Sequence, residues 1–215
     1  MPTSQRTTTG HPGPNDGSPD RKGLLLVIAG PSGVGKTTIV HKLLEHFDGV
    51  FSISATTRPR TEQDVDGVDY NFIDEATFQT WINEGLFLEY AQVFGRSWYG
   101  TPRTSVDPYL EQGKLVILDI DVQGAAQVRA SMQDALGIFI LPPSEDALLQ
   151  RLRDRGREDE ATIERRFAEA RHEMDTARTC GAFDAFVVNN TLEDAIKEVT
   201  RIIQDALDAR TDSTS

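Results

Sequence analysis

The sequence has little cysteine and no long apolar run. Cys180 is the only cysteine among the 215 residues, so no disulfide can form within the chain. No segment reaches the run of about 18 apolar residues that a membrane helix requires. The opening segment, MPTSQRTTTG, lacks the apolar stretch typical of a secretory signal. These absences argue against a disulfide-stapled module and a membrane-spanning helix, and we expect a cytoplasmic protein.

Basic residues are also scarce. The chain has 22 Lys and Arg against 34 Asp and Glu, which gives a formal net charge of −12. Nucleic acid or an anionic membrane would be repelled overall, so we expect neither as a partner. An anionic small molecule would have to be bound by local positive charge. A monomer and a homo-oligomer both remain open.

The apolar residues that are present alternate between two patterns. Hydrophobic residues make up 38% of the chain, enough for the core of one domain with a small insertion. Residues 1–22 have almost no apolar side chains, so we expect a disordered tail there, and a frayed end over 211–215. Apolar runs typical of buried parallel strands are each followed by a helix candidate; they are Leu24 to Ala29, Lys114 to Ile120, Leu136 to Leu141 and Ala185 to Val188. The alternation predicts an α/β fold with a parallel sheet and helices on both faces.

The stretch from about Phe51 to Thr101 has a different pattern. It contains strand-like pieces at Phe51 to Ala55, Val68 to Ile73 and Phe87 to Phe94, with one helix predicted over Glu75 to Asn83. We interpret it as an inserted, mostly β subdomain.

A phosphate-binding loop follows the first apolar run. Gly30-Pro31-Ser32-Gly33-Val34-Gly35-Lys36-Thr37 fits the pattern G-x-x-x-x-G-K-[ST], and Thr38 continues into the predicted helix. Glycines let backbone N–H groups turn inward around phosphate oxygens. Lys36 would contact the β and γ phosphates of ATP, and Thr37 would offer its hydroxyl to Mg²⁺. A chance glycine-rich turn is the alternative, but a buried strand before the loop and a helix after it favour a nucleoside triphosphate site and a P-loop type of fold.

Two aspartates end the second apolar run. Asp119 and Asp121 follow Leu115 to Leu118. A carboxylate at this place can hold Mg²⁺ through the ion's water shell. Asp121 is equally well placed to be the N-cap of a helix that starts at Val122, so Asp119 is the better candidate for the metal.

Further segments carry a family resemblance. The Asn-Lys-x-Asp stretch with which GTPases read guanine is absent. The segments that are present instead are Thr56-Thr57-Arg58-Pro59-Arg60, Tyr70-Asn71-Phe72, Glu89, Trp98-Tyr99-Gly100-Thr101 and Ile117 to Gly124. From about Gly23 to Arg210 the chain resembles the guanylate kinases, which transfer a phosphate from ATP to GMP. The resemblance implies a core (23–50, 103–142 and 161–210), a GMP-binding insertion (51–102) and a small helical lid (143–160).

The resemblance also implies roles for individual residues. Ser54 would meet guanine O6, and Glu89 would accept hydrogen bonds from guanine N1 and N2. The residues implied to hold the GMP phosphate are Arg58, Tyr70 and Tyr99, those near the base are Thr101, Asp119 and Asp121, and the arginines that reach phosphates are Arg151, Arg155 and Arg166. The carboxylate of Glu89 can accept from two adjacent N–H groups, a pair that adenine lacks. The family usually has a second basic residue where this chain has Thr61, and Arg60 lies one position early.

Two alternatives to this activity are considered. Some guanylate-kinase-like domains bind proteins and have lost catalysis, and a related kinase could act on another nucleoside monophosphate. The intact phosphate loop argues against the first alternative.

Overall fold

The structure, a computed structural model, describes residues 23–93, 96–154 and 159–212. Its elements in chain order are β1 (Leu24–Ala29), α1 (Lys36–His46), β2 (Gly49–Phe51), β3 (Ala55–Thr56), β4 (Asn71–Phe72), α2 (Glu75–Asn83), β5 (Phe87–Val93), β6 (Ser97–Pro102), a 3-10 turn (Arg103–Ser105), α3 (Asp107–Glu111), β7 (Leu115–Asp119), α4 (Val122–Ser131), β8 (Leu136–Leu141), α5 (Glu145–Asp154), α6 (Glu160–Thr179), β9 (Ala185–Val188) and α7 (Leu192–Asp212).

The main sheet has five parallel strands in the order β2-β7-β1-β8-β9. All six residues of β1 are buried because helices cover both faces. Leu26 packs on one face with residues of α1 and α7, while Val27 packs on the other with residues of α4. The predicted α/β fold with a parallel sheet is confirmed.

A second sheet has four strands in the order β4-β3-β6-β5. Helix α2 covers it and begins after Asp74, whose side chain accepts a hydrogen bond from the N–H of Thr77 at 2.7 Å. Phe78 of α2 is fully buried and stacks on Phe87 of β5, with ring centroids 4.4 Å apart. This sheet therefore has a small apolar core separate from that of the main sheet.

The predicted strand from Phe51 to Ala55 is wrong. Gly49–Phe51 pairs with β7 at the edge of the main sheet, whereas Ala55–Thr56 belongs to the second sheet. The chain leaves the main sheet at Ser52, whose N–H donates to the carbonyl of Ile117 at 3.0 Å. Gly49–Phe51 has only three residues, one of them a glycine, so the sequence contains no apolar run that predicts this strand.

Two other boundaries differ from the prediction. The strand expected over Val68 to Ile73 is limited to Asn71–Phe72, because the N–H of Val68 and of Asp69 both donate to the carbonyl of Val65 and form a turn. Thr211 and Asp212, expected to be frayed, are helical, and the Thr211 hydroxyl donates to the carbonyl of Leu207 at 3.0 Å. In the described ranges no helix is both long and apolar enough to cross a membrane.

Candidate active site

The phosphate loop connects the buried end of β1 to the start of α1. Gly30, Gly33 and Gly35 have φ angles of 147°, 88° and 101°. A Cβ atom on Gly30 would lie 2.5 Å from the carbonyl oxygen of Ile140. Glycine is therefore required both for the turn and for the close approach of β8.

The functional groups of the loop lie at the N-terminus of α1. Lys36 Nζ donates to the carbonyl of Gly30 at 2.5 Å and lies 3.9 Å from Asp119 Oδ1. Thr37 and Thr38 are exposed in the first helical turn, while Pro31 and Val34 are buried beneath the loop. The ammonium group thus lies across the loop.

Two carboxylates, those of Asp119 and Glu173, interact with the charge of Lys36. Burial raises the pKa of Asp119, and the charge of Lys36 opposes the rise. Glu173 of α6, which the sequence analysis missed, has a pKa raised by burial and by the charges of Asp119 and Asp121, again opposed by Lys36. The described residues hold no group of three or more Asp, Glu, His or Cys side chains arranged for a metal ion. Lys36 is thus the cation that compensates this acidic region.

Asp121 is the N-cap of α4. Its Oδ1 accepts from the N–H of Gly124 at 2.7 Å. The capping alternative is confirmed. The carboxylate lies near Glu89, where its charge adds to the rise in pKa described next.

Glu89 is buried in β5, between Thr101 of β6 and Gly124 of α4. Glu89 is only 7% exposed, and its Oε1 accepts from the Thr101 hydroxyl at 2.6 Å. Burial raises the pKa of Glu89 to about 7, because the hydrogen bond from Thr101 offsets only part of the lost solvation. A buried carboxyl whose hydrogen-bond partner among the described residues is Thr101 alone is suited to accept further N–H donors from a ligand.

Arg58 is held by Asp64. The guanidinium donates to both carboxylate oxygens of Asp64, at 3.0 and 2.9 Å, and lies over the rings of Tyr70 and Phe72. The paired guanidinium keeps the pKa of Asp64 well below its usual range. The rings of Tyr70 and Tyr99 meet edge to face at 5.6 Å. The three side chains expected at a GMP phosphate are therefore brought together.

Ser54 lies beside this group, since its carbonyl accepts from the N–H of Asn71 at 2.9 Å. Arg60 is exposed and donates from Nε to the backbone carbonyl of Asp64 at 2.8 Å. Thr61 binds the Asp64 carboxylate through both its N–H and its hydroxyl, each at 2.7 Å. The hydrogen bonds of Arg60 and Thr61 to Asp64 thus stabilise the loop that contains it.

Two of the three predicted arginines lie near the phosphate loop. Arg166 donates to the Ser32 hydroxyl at 2.5 Å, and Arg151 donates to the carbonyl of Asn189 at 3.1 Å. Arg155 lies outside the described residues. Other arginines of this segment form surface ion pairs, as expected; Arg171 with Glu145 at 3.2 Å is one.

Asn189 is a second residue that the sequence analysis missed. Its side-chain Nδ2 donates to the carbonyl of Val34 at 2.7 Å, and the residue is only 4% exposed. Among the described residues its Oδ1 has no hydrogen-bond partner. The contact joins the end of β9 to the phosphate loop across 155 residues of sequence.

A glycine loop connects the central parallel strand β1 to helix α1, and its Lys36 lies beside Asp119 at the end of β7. These features define an α/β phosphate-loop protein. The guanylate kinase family model matches residues 22–206. The chain is 46% identical to the guanylate kinase of Neisseria gonorrhoeae over 184 residues, 85% of this chain and 88% of that protein. It is 45% identical to that of Myxococcus xanthus over 182 residues, 84% and 86% of the two chains. The chain belongs to the guanylate kinase family.

A solved structure agrees with this assignment. The crystal structure of guanylate kinase from Anaplasma phagocytophilum matches with a TM-score of 0.66 at 32% identity, and the match covers 85% of each chain.

Proposed function

We propose that the chain transfers the γ-phosphate of ATP to GMP and forms ADP and GDP. The observation that carries this proposal is the pairing of an intact phosphate loop with the buried carboxylate of Glu89 in the adjoining second sheet. The phosphate loop fits a triphosphate, and the Glu89 carboxylate fits the adjacent N1–H and N2–H donors of guanine. Family membership and the intact Lys36 favour this activity over a protein-binding module without catalysis. We also propose a cytoplasmic location, where both nucleotides are available.

The second sheet supplies the GMP site. Glu89, held by Thr101, accepts from guanine, and Ser54 would meet O6, as the family resemblance implies. Arg58, Tyr70 and Tyr99 bind the phosphate, with Arg58 oriented by Asp64. A buried carboxylate left unpaired costs a few kcal/mol, so a base without the two N–H donors binds poorly.

The main sheet supplies the ATP site. Backbone N–H groups of the loop 30–38, which every residue except Pro31 carries, surround the phosphates, and Lys36 turns from the carbonyl of Gly30 to the β and γ phosphates. The donor set fits Mg²⁺, a hard ion that keeps several waters: the hydroxyl of Thr37, an exposed residue, would bind it directly and Asp119 through water. When bound, Mg²⁺ neutralises charge on the β and γ oxygens.

The reaction needs no general base. The acceptor is a phosphate whose second pKa is about 6, so an oxygen of GMP is already ionised at neutral pH. That oxygen bonds to the γ-phosphorus while the bond to the ADP oxygen breaks. Lys36, Arg151 and Arg166 offset the charge of the transferring group, and Arg155 would join them. The proposed lid comprises residues 143–160, and its closure would exclude water from the site.

Separation of nucleotides after a reaction with ATP, GMP and Mg²⁺ tests this proposal. ADP and GDP should form in equal amounts, and Lys36→Ala should lower the rate by at least about a hundredfold, since it removes charge from the transferring group. Lys42→Ala is the matched control, because Lys42 lies on the same helix and, within the described ranges, pairs only with Glu45 at the surface. ADP formed without GDP, or full activity in Lys36→Ala, would overturn the proposal.

A further inference from the structure

Strand β5 buries three consecutive residues. Phe87, Leu88 and Glu89 are 7%, 4% and 7% exposed. In a regular strand successive side chains point to opposite faces. Here Phe87 pairs with Pro102 and Glu89 with Thr101, so Leu88 is an additional residue opposite a single step of β6. This is a β-bulge, a feature that redirects side chains and is common beside active sites.

The bulge sends each side chain to a different place. Phe87 packs in the core of the second sheet, against Phe78. Leu88 packs in the main core together with Ala125 and Val128 of α4. Glu89 is directed to Thr101 and to Gly124 of α4. The strand is therefore attached to the main domain immediately before its carboxylate.

Helix α4 also binds the strand immediately after that carboxylate. The side-chain Oε1 of Gln127 accepts from the N–H of Tyr90 at 3.1 Å, and Nε2 donates to the carbonyl of Tyr90 at 3.0 Å. In the described part of the chain β5 is an edge strand of the second sheet. The amide of Gln127 thus takes the place of a neighbouring strand for Tyr90.

Gly124 lies opposite the carboxylate itself. A Cβ atom on Gly124 would lie 3.0 Å from Oε2 and 3.3 Å from Cδ of Glu89. Gly124 and Gln127 are three residues apart, so they lie on one face of α4. The helix backbone at Gly124 therefore sets how far the carboxylate of Glu89 extends toward α4.

We propose that Gly124 and Gln127 are positioning residues for guanine recognition. Gln127 fixes the backbone of Tyr90, next to Glu89. Gly124, which has no side chain, leaves room for the Glu89 carboxylate in the position where it can accept from both N–H donors of guanine. The inference rests on the proposed role of Glu89. A displacement of the carboxylate by a few tenths of an ångström weakens both of its hydrogen bonds to guanine. Guanine therefore loses more binding free energy than hypoxanthine, which offers N1–H but has no N2 amino group.

Two variants test this inference with GMP and with inosine monophosphate (IMP) as acceptors. Gly124→Ala introduces the close contact while improving intrinsic helix propensity. Gln127→Met keeps the length and helix propensity but removes both hydrogen bonds to Tyr90. For each we expect KM for GMP to rise about tenfold, equivalent to about 1.4 kcal/mol. KM for ATP should stay within about twofold, and the preference for GMP over IMP should fall.

Gln204→Met is the matched control, because Gln204 is an exposed helical glutamine that bonds only to Asp208 among the described residues. If both test variants keep the KM for GMP and the GMP preference of the unaltered protein, the inference is overturned. Equilibrium binding of GMP and of ATP to each variant provides the same comparison without turnover, and thermal unfolding checks that the fold is retained.

Glu89→Gln separates this inference from the proposed function. If Glu89→Gln loses the preference for GMP over IMP while Gly124→Ala and Gln127→Met keep it, only the positioning role fails. If Glu89→Gln itself keeps the preference, the proposed role of Glu89 fails, and the inference fails with it.

Discussion

At the scale of single residues, Glu89 combines burial with a partner set that is incomplete among the described residues. Thr101 satisfies one oxygen, and burial raises the pKa to about 7. The carboxyl group therefore changes its protonation near neutral pH. An ionised carboxylate accepts two N–H groups, whereas a protonated one presents an O–H donor that competes with them.

We predict that affinity for GMP falls as pH decreases. Because the pKa of Glu89 is raised, the group gains its proton as pH falls through about 7, and the guanine loses its acceptor. Below the pKa the loss should approach about tenfold per pH unit. Glu89→Gln is the control, since it retains the titration of the GMP phosphate, near about pH 6, but not that of the carboxyl. Calorimetric titrations that give both proteins the same pH dependence would contradict the assignment.

The pair of Arg58 and Asp64 gives a second prediction. Asp64→Asn removes the charge that orients the guanidinium, so KM for GMP should rise by about threefold to tenfold while KM for ATP is unchanged. Asp48→Asn is the control, because Asp48 forms an exposed pair with Lys114 at 3.3 Å. Steady-state kinetics in each substrate measure the effect. An equal rise in both KM values would show that Asp64 acts on the whole fold.

Sequence patterns predict several candidate site residues but not the residues that support them. The loop residues and Asp119 follow from motif and spacing, and Glu89 follows from family resemblance. The roles of Asn189 and Glu173 depend on contacts with segments distant in the chain, which no local pattern encodes. The same holds for Gln127, whose partner is the backbone of Tyr90 and not a recognisable side chain.

At the scale of elements, continuous burial makes strands recognisable. β1, β7 and β8 lie inside the sheet and are predicted from their apolar runs. β2 has only three residues, none of them fully buried, so no apolar run predicts it, and only its last residue, Phe51, was expected to lie in a strand. The bulge in β5 is equally invisible in sequence, because it shows only in the register with β6.

Leu88 tests the attachment of β5 to the main core. Leu88→Ala removes a side chain that is 4% exposed and packed on α4, so it should lower the free energy of unfolding by about 2–4 kcal/mol. Val68→Ala is the control, since Val68 is 63% exposed and should change stability by less than about 0.5 kcal/mol. Urea unfolding curves measure both variants. Equal stability of the two would show that Leu88 does not anchor the strand.

At the scale of the whole molecule, an acidic protein binds two polyanions by concentrating cations in one place. The net charge is −12, yet Lys36, Arg151 and Arg166 all lie near the phosphate loop, and Arg58 lies over Tyr70 and Phe72 next to the second sheet. The loop joins the carboxyl end of a central strand to a helix N-terminus, the usual place for ligands in open α/β sheets. The parallel fold could be predicted from the sequence because its strands alternate with helices. The packing of β5 of the second sheet against α4 could not, since it depends on contacts distant in sequence.

Turnover of GMP, AMP, CMP and UMP with ATP, followed as ADP release, tests the central claim most directly. The account predicts rapid ADP release with GMP and rates lower by at least about a hundredfold with the other three, because only guanine gives Glu89 two adjacent N–H donors. Equal rates with AMP and GMP, or no ADP release with GMP, would contradict it.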